Sequence, residues 1–404
     1  MLNTTLALLT ALSQPVYAGG GGGGGAVPPP KVGEDGELDL RPAWIAVPLI
    51  SYDSTLLFGY GGFGGVIWPS ADPDQPFAFR ISGQYYKTTG GYANHFFRFE
   101  IPGILGTKWR WRSDVRYVNW TQAPYYGIGN STPVSKEAEE EYYEYTKVGV
   151  RFNQNVRRQI YGDWELFYTW SFRREQVQVP NDTKLDEDLK DGLATGRNGG
   201  RYSYMALGAL RDTRDSEIDP STGAFINFSG RLSHPAVLSE YKVAGANFNA
   251  SGFHPLLGGR IVSASNLSVD LRWGEEPFWN LAYIGGLGRG VIGGRWAFRG
   301  LPEERLRGNH SAWVQQEFRI HVWQGDIFKN AMDFQLVPFT DMGRVWDPGE
   351  EDDWYHLHYT AGLGLRIDVR ELAVLRADFG LGIEEYSTGR AVIPQIYVLA
   401  EHPF

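Results

Sequence analysis

The sequence predicts an all-β fold: a transmembrane antiparallel β-barrel of about 16 strands, with a long loop folded into its lumen. Three observations predict it. Segments of 13 or 14 residues alternate strictly between polar and apolar side chains, which is long for a soluble strand and fits a tilted membrane strand. Long connections fall on one side of the strand succession and short turns on the other. The chain has no cysteine, 51 glycines and 14% aromatic residues, a composition that aromatic girdles and glycine-rich strands explain together.

Taken in order, the chain opens with the apolar run Leu6–Leu12 and then Val16-Tyr17-Ala18, the small-residue spacing of a signal-peptidase site. Residues 1–18 are therefore expected to be a signal peptide, too short to span a bilayer. The glycine tract Gly19–Gly25 and the following Ala-Val-Pro-Pro-Pro read as a flexible tether that stiffens into a spacer, together 19–42. Residues 43–404 then read as one barrel domain, with no folded module before it. No later segment holds 18 continuous apolar residues, which excludes helical spans. A net charge of −9 argues against nucleic-acid partners. The mean hydropathy of −0.32 fits a barrel, because only about half of each strand faces lipid.

The expected strands are 44–51, 55–67, 76–87, 91–102, 107–120, 142–154, 160–173, 200–211, 222–233, 239–254, 258–274, 311–324, 331–345, 355–369, 372–384 and 393–404. Between Lys108 and Trp120 one face carries Lys108, Arg110, Arg112, Asp114 and Arg116, and the other Trp109, Trp111, Val115 and Tyr117. The connections 121–141, 174–199, 275–310 and 346–354 are long, whereas 103–106, 155–159, 255–257 and 370–371 are short. That asymmetry places the long ones outside and the turns in the periplasm. The first strand contains Pro48 and alternates little, so it is expected to pair poorly.

The chemistry concentrates in the longest connection, which carries Phe298-Arg299-Gly300-Leu301. On the next strand Ser311, Trp313, Gln315, Glu317, Arg319 and His321 share one register. The strand after it carries Phe339-Thr340-Asp341-Met342-Gly343 with Asp341 on the polar side. An arginine on a loop and two carboxylates on inward faces predict a loop held in the lumen by charge-assisted hydrogen bonds, with Asp341 as partner and Glu317 as second acceptor. Asp212-Thr213-Arg214-Asp215, with Pro220 and Gly223, reads as a tight periplasmic turn rather than a metal or catalytic site. His356 and His358 share a face but have no assignable third ligand, so lumen polarity is the reading. Glu350–Asp353 reads as a solvated loop. No metal and no cofactor is expected.

At these residues the chain resembles the BamA/TamA-like outer-membrane assembly and translocation superfamily, the bacterial surface antigen family. Phe298 to Leu301 is similar to its loop-six Arg-Gly-aromatic motif, with Leu301 in the aromatic position, and Glu317-Phe318-Arg319 to its Glu-aromatic-Arg strand. Phe339 to Gly343 matches its Phe-x-Asp-x-Gly pattern, and Asp212 to Asp215 a turn typical of these barrels. Gly362-Leu-Gly-Leu-Arg366 and Arg376-Ala-Asp378 resemble its closing strands. The likeness covers roughly 200–404. Most members carry periplasmic domains ahead of the barrel; this chain resembles the subgroup that lacks them.

The resemblance implies an integral barrel of a Gram-negative outer membrane that translocates or inserts protein or lipid clients through a lateral seam between first and last strands. The partners it implies are outer-membrane lipids and lipopolysaccharide, the barrel assembly machinery during biogenesis, and an unidentified client; homodimerisation stays open. Two other classes compete with this reading. A passive porin is supported by Arg110, Arg112, Arg116, Arg366 and Arg376 in the lumen and opposed by a long inward loop. An outer-membrane lipid hydrolase would need a Ser–His pair, and no G-x-S-x-G elbow is present. At the C-terminus, Ile396, Val398, Ala400 and Phe404 share a face, and the terminal aromatic reads as an assembly signal. Deleting Phe404 is expected to lower the amount of folded, heat-modifiable barrel in the outer membrane; an unchanged folded band on unheated gels overturns that assignment.

Overall fold

Alternation this long can bury its polar half only by closing the sheet around a lumen, and the computed structural model is a closed barrel. It describes residues 40–71, 75, 77–104, 107–216, 219–287, 290–327, 330–347, 355–369 and 373–400. The signal-peptide and most of the tether assignments, Glu350–Asp353 and Phe404 lie outside the described residues. The strands are β1 (Ala43–Asp53), β2 (Leu57–Trp68), β3 (Phe79–Thr88), β4 (Tyr92–Ile101), β5 (Trp109–Pro124), β6 (Glu144–Tyr161), β7 (Trp164–Gln178) and β8 (Gly200–Asp212). They continue with β9 (Gly223–Ser233), β10 (Val243–Leu256), β11 (Ile261–Gly274), β12 (His310–Ile327), β13 (Asn330–Trp346), β14 (His358–Val369), β15 (Ala373–Tyr386) and β16 (Gly389–Ala400). Each pairs antiparallel with its sequence neighbours, and β1 meets β16.

The two faces differ as the period-2 pattern requires. On β12, Gln315, Glu317 and Arg319 are fully buried inward, while Val314 and Phe318 are 41% and 42% exposed on the outer face. Leu363, Leu365, Phe379 and Leu381 continue that outer apolar surface. With no water in the hydrocarbon core, closure leaves the strands no edge to satisfy except at the seam.

One expectation is corrected. The turn placed at 155–159 is strand: β6 runs to Tyr161 and the hairpin turns at Gly162. Asn153, Gln154 and Asn155 blurred the alternation, yet they are inter-strand ligands, bonding Asp114, Ser113 and Thr169. The first strand pairs with β2 along the whole of Ala43–Asp53, with Pro48 opposite Gly62. The connection after β7 holds a one-helix segment, α1 (Lys184–Lys190), N-capped by Thr183.

At the seam the pairing among the described residues is short. β1 and β16 pair at Tyr52↔Val398 and Asp53↔Tyr397, extended by a Ser54 backbone N–H donated to the Ile396 carbonyl at 3.1 Å. By contrast, β15 pairs with β16 from Leu375↔Ala400 to Tyr386↔Gly389. The long connections 125–143, 179–199, 275–309 and 347–357 all leave the same end. There they build an apolar roof: Tyr125, Leu185, Phe278 and Trp279 pack with Trp120, Tyr145 and Tyr202 from the strand ends.

Candidate lumenal site

Register assembles the first part of the site. Glu317 on β12 stands opposite Phe339 on β13, and Asp341 lies two residues further along the same inward face. From the connection 275–309, loop six, Arg299 enters between them. Its Nη2 and Nε donate to Asp341 Oδ1 and Oδ2 at 2.7 and 3.0 Å, and its own backbone N–H donates to Oδ2 at 2.9 Å. Nη1 donates to Glu317 at 2.5 Å, and the guanidinium lies 3.8 Å from the centroid of the Phe339 ring. Arg299, Glu317 and Asp341 are 0% exposed, which makes the pairing obligatory: an unpaired charge there carries the full desolvation cost.

Further charges extend the cluster. Asp378 on β15 sits 3.8 Å from Arg299 and pairs with Arg366 of β14, which also donates to Glu317 at 3.2 Å. Glu317 Oε2 accepts from Arg319 at 3.1 Å, and Arg319 reaches Asp219 of the 213–222 turn at 3.2 Å. The inward row of β15 runs Asp378, Gly380, Gly382, Glu384, so two bare positions lie between two acids. A Cβ on Gly380 would lie 2.3 Å from the Arg299 carbonyl oxygen, and one on Gly382 2.3 Å from that of Gly300. The glycines therefore form a trough for the loop-six backbone. Gly300 itself has φ +137°, a conformation open to glycine alone at this contact. At the far end of the trough Glu384 accepts from Arg305 at 2.9 Å. Phe298 and Leu301 are buried with Trp313, Leu306 and Val345.

A second pair of acids follows. Glu304 accepts from Lys147 at 2.6 Å and from Arg307 at 2.8 Å; burial alone would raise its carboxyl, but Lys147 and Arg307 hold it below the usual range. Glu303 differs. Burial pushes it up, Arg295 pulls it down, and Asp53 and Glu304 add to the rise, leaving it at about 7.

The other singled-out residues sit apart. Asp212 pairs with Arg214 at 2.7 Å, and Asp215 accepts from the Ser221 and Thr222 backbone N–H groups, at the end of the barrel opposite the roof. Gly343 lies opposite Trp313, whose Cβ is 2.5 Å from where a glycine Cβ would stand. His356 bonds Glu385 and His358 bonds the Asn130 carbonyl, tying the 125–143 connection to the β14–β15 end. Among the described residues no group of three potential metal ligands occurs. Sequence reasoning did not reach the roles of Asp378, Arg305, Glu384 and Tyr397. Asp378 and Glu384 do lie on the inward register of β15, but alternation does not say which loop cation meets them.

This geometry defines a closed antiparallel β-barrel with a loop seated in its lumen. The model of the Omp85 superfamily domain matches residues 78–396, and the chain belongs to that superfamily. Over 273 residues it is 24% identical to the outer membrane protein assembly factor BamA of Nitratidesulfovibrio vulgaris, covering 65% of this chain and 32% of that protein. The chain thus spans about a third of the length of that curated relative. In fold it is similar to BamA from Haemophilus ducreyi lacking POTRA domains 1–3, with TM-score 0.61, 16% identity and coverage of 90% of this chain and 71% of that one. It is also similar to CdiB from Escherichia coli, with TM-score 0.56, 12% identity and coverage of 90% and 64%.

Two outcomes are expected. Arg299→Ala strands Asp341 without its cation and leaves Glu317 to Arg319 and Arg366, a loss of about 3–5 kcal/mol for a buried pair; limited proteolysis should then cut loop six while the barrel stays heat-modifiable. Glu303 has its folded value raised above the ordinary value of about 4.3. Its contribution to stability is therefore full below pH 4.3 and is lost as pH rises through about 7. Glu303→Gln should remove this falling component, on the order of 1–3 kcal/mol, from the difference in unfolding midpoint between pH 5 and pH 8.

Proposed function

We propose that this barrel inserts or exports protein or lipid clients through a lateral opening between β1 and β16, with loop six held in the lumen by the Arg299 clamp on Asp341 and Glu317. The observation that carries the reading is the contrast in pairing at the seam. β1 is bonded to β2 along its whole length, yet among the described residues its pairs with β16 are Tyr52↔Val398 and Asp53↔Tyr397. Strand edges left free of a partner can template an incoming strand by β-augmentation, and a short seam costs little to part. The apolar roof and the buried loop six weigh against a straight route along the lumen, and so against a passive porin. The name of the similar curated protein, an outer membrane protein assembly factor, fits this class of work. Outer-membrane lipids, lipopolysaccharide and the barrel assembly machinery are the partners it entails.

The chain has no cysteine, so a seam lock can be introduced cleanly. Tyr52→Cys with Val398→Cys places two thiols on cross-strand partners, within disulfide reach for an antiparallel pair. The oxidised barrel in liposomes should stop accelerating the folding of an unfolded eight-stranded outer-membrane barrel, used as probe client, and reduction should restore it. A locked barrel as active as the reduced one overturns the lateral route. Steady ohmic conductance of the unmodified protein in planar bilayers would favour the porin instead.

A further inference from the structure

The seam and loop six meet at a single rung. Asp53 and Tyr397 are the cross-strand partners that end the β1–β16 pairing, and both are buried inward, at 2% and 0% exposure. Each of them touches loop six. The Tyr397 hydroxyl donates to the Leu301 carbonyl at 3.0 Å, immediately beyond the Arg299-Gly300 seat. Arg295 of loop six pairs with Asp53 at 3.8 Å. Two residues past β1 in the following turn, Thr55 Oγ accepts the Glu303 backbone N–H at 3.0 Å. Asp53 Oδ1 meanwhile accepts the Thr55 and Leu56 N–H groups at 2.8 and 3.1 Å, which fixes the turn that presents Thr55.

We propose that loop six staples the seam: Tyr397 on β16, and Asp53 and Thr55 on the β1 side, bind the same loop, so that the loop holds the closing rung shut. The proposal rests on the lateral route argued above and adds to it the residues that couple loop position to seam closure. The physical logic is that of a bridge. With few ladder bonds of its own, the seam is held by whatever ligates both strands, and loop six ligates both at the rung where pairing is present. Below that rung, among the described residues, Ser51 and Ile50 of β1 face Leu399 and Ala400 of β16 without pairing. Releasing the three loop contacts therefore leaves two backbone pairs and the Ser54–Ile396 bonds to keep the barrel closed. Seating of the loop depends on Arg299 with Asp341 and Glu317, residues of β12 and β13 on another part of the wall. Unstapling and unseating are consequently separable by mutation.

The test uses the full chain in liposomes, with nitroxide labels on Tyr52→Cys and Val398→Cys, both on the outer face. Dipolar broadening of the continuous-wave spectrum reports the closed rung, and its loss reports opening. In the Tyr397→Phe/Thr55→Val variant the broadened fraction is expected to fall at least twofold, with loop six still resistant to protease. An unchanged broadened fraction overturns the staple. Should that variant fail to give a heat-modifiable barrel, Asp53→Asn/Arg295→Gln removes the ion pair, keeps an acceptor for the turn, and is judged by the same criterion. Arg299→Ala serves as the comparison. Seam broadening lost in Arg299→Ala but intact in both staple variants means that seating, not stapling, controls the seam, and the staple is wrong. A disulfide-locked seam that stays active would sink the lateral route independently, whatever the spectra show about the staple.

Discussion

A guanidinium with no water contact is the constraint on which the rest of this structure depends. Arg299 is buried between the barrel wall and the rest of loop six, and a buried cation is tolerated only with its counter-charges in place. Asp341 takes it bidentately, Glu317 takes the third nitrogen, and Phe339 covers its face. Glu317 is not satisfied by Arg299 alone, however. Glu317 also accepts from Arg319 and Arg366, and Asp378 is shared between Arg366, Arg376 and Arg299. Neutrality is a property of the cluster, so a change at one member is felt on β12, β13, β14 and β15 together.

The loop chemistry around that cluster follows from sterics as much as charge. A four-residue approach of loop backbone to strand backbone needs missing side chains, which Gly380 and Gly382 supply on β15 and Gly300 supplies on the loop. The acids flanking the trough then fix the loop along the strand, Asp378 beside Arg299 and Glu384 on Arg305. Above it, the roof of Tyr125, Phe278 and Trp279 is an apolar core of the kind found in soluble domains, formed at a barrel mouth. Apolar burial holds the roof and charge holds the loop beneath it, two forces with different responses to salt and pH.

Much of this was legible before any coordinates. Alternation gives the strand number and the inward registers of Glu317, Asp341 and Arg319, because a period of two leaves no freedom about which side chains face the lumen. Hairpin positions were less legible where polar residues occupy both faces, as at Asn153, Gln154 and Asn155. The sequence there does not separate a turn from strands whose side chains bond one another laterally. Long-range partners were legible only where one cation and its acceptors stand out by type. Tyr397 and Thr55 carry no such mark: a tyrosine near the end of the chain reads as girdle, and a threonine in a turn reads as turn.

The same network also joins the two ends of the barrel. Asp219, in the turn at the end opposite the roof, holds Arg319 and Gln335; Arg319 holds Glu317; and Glu317 holds Arg299. Each link is a hydrogen-bonded charge or amide with little or no access to solvent. Displacement of any one leaves a buried group without its acceptor, at a cost greater than the net worth of the bond itself. A chain of this kind resists gradual deformation, because half-broken states are the most expensive ones. The lumen contents therefore move together or stay in place.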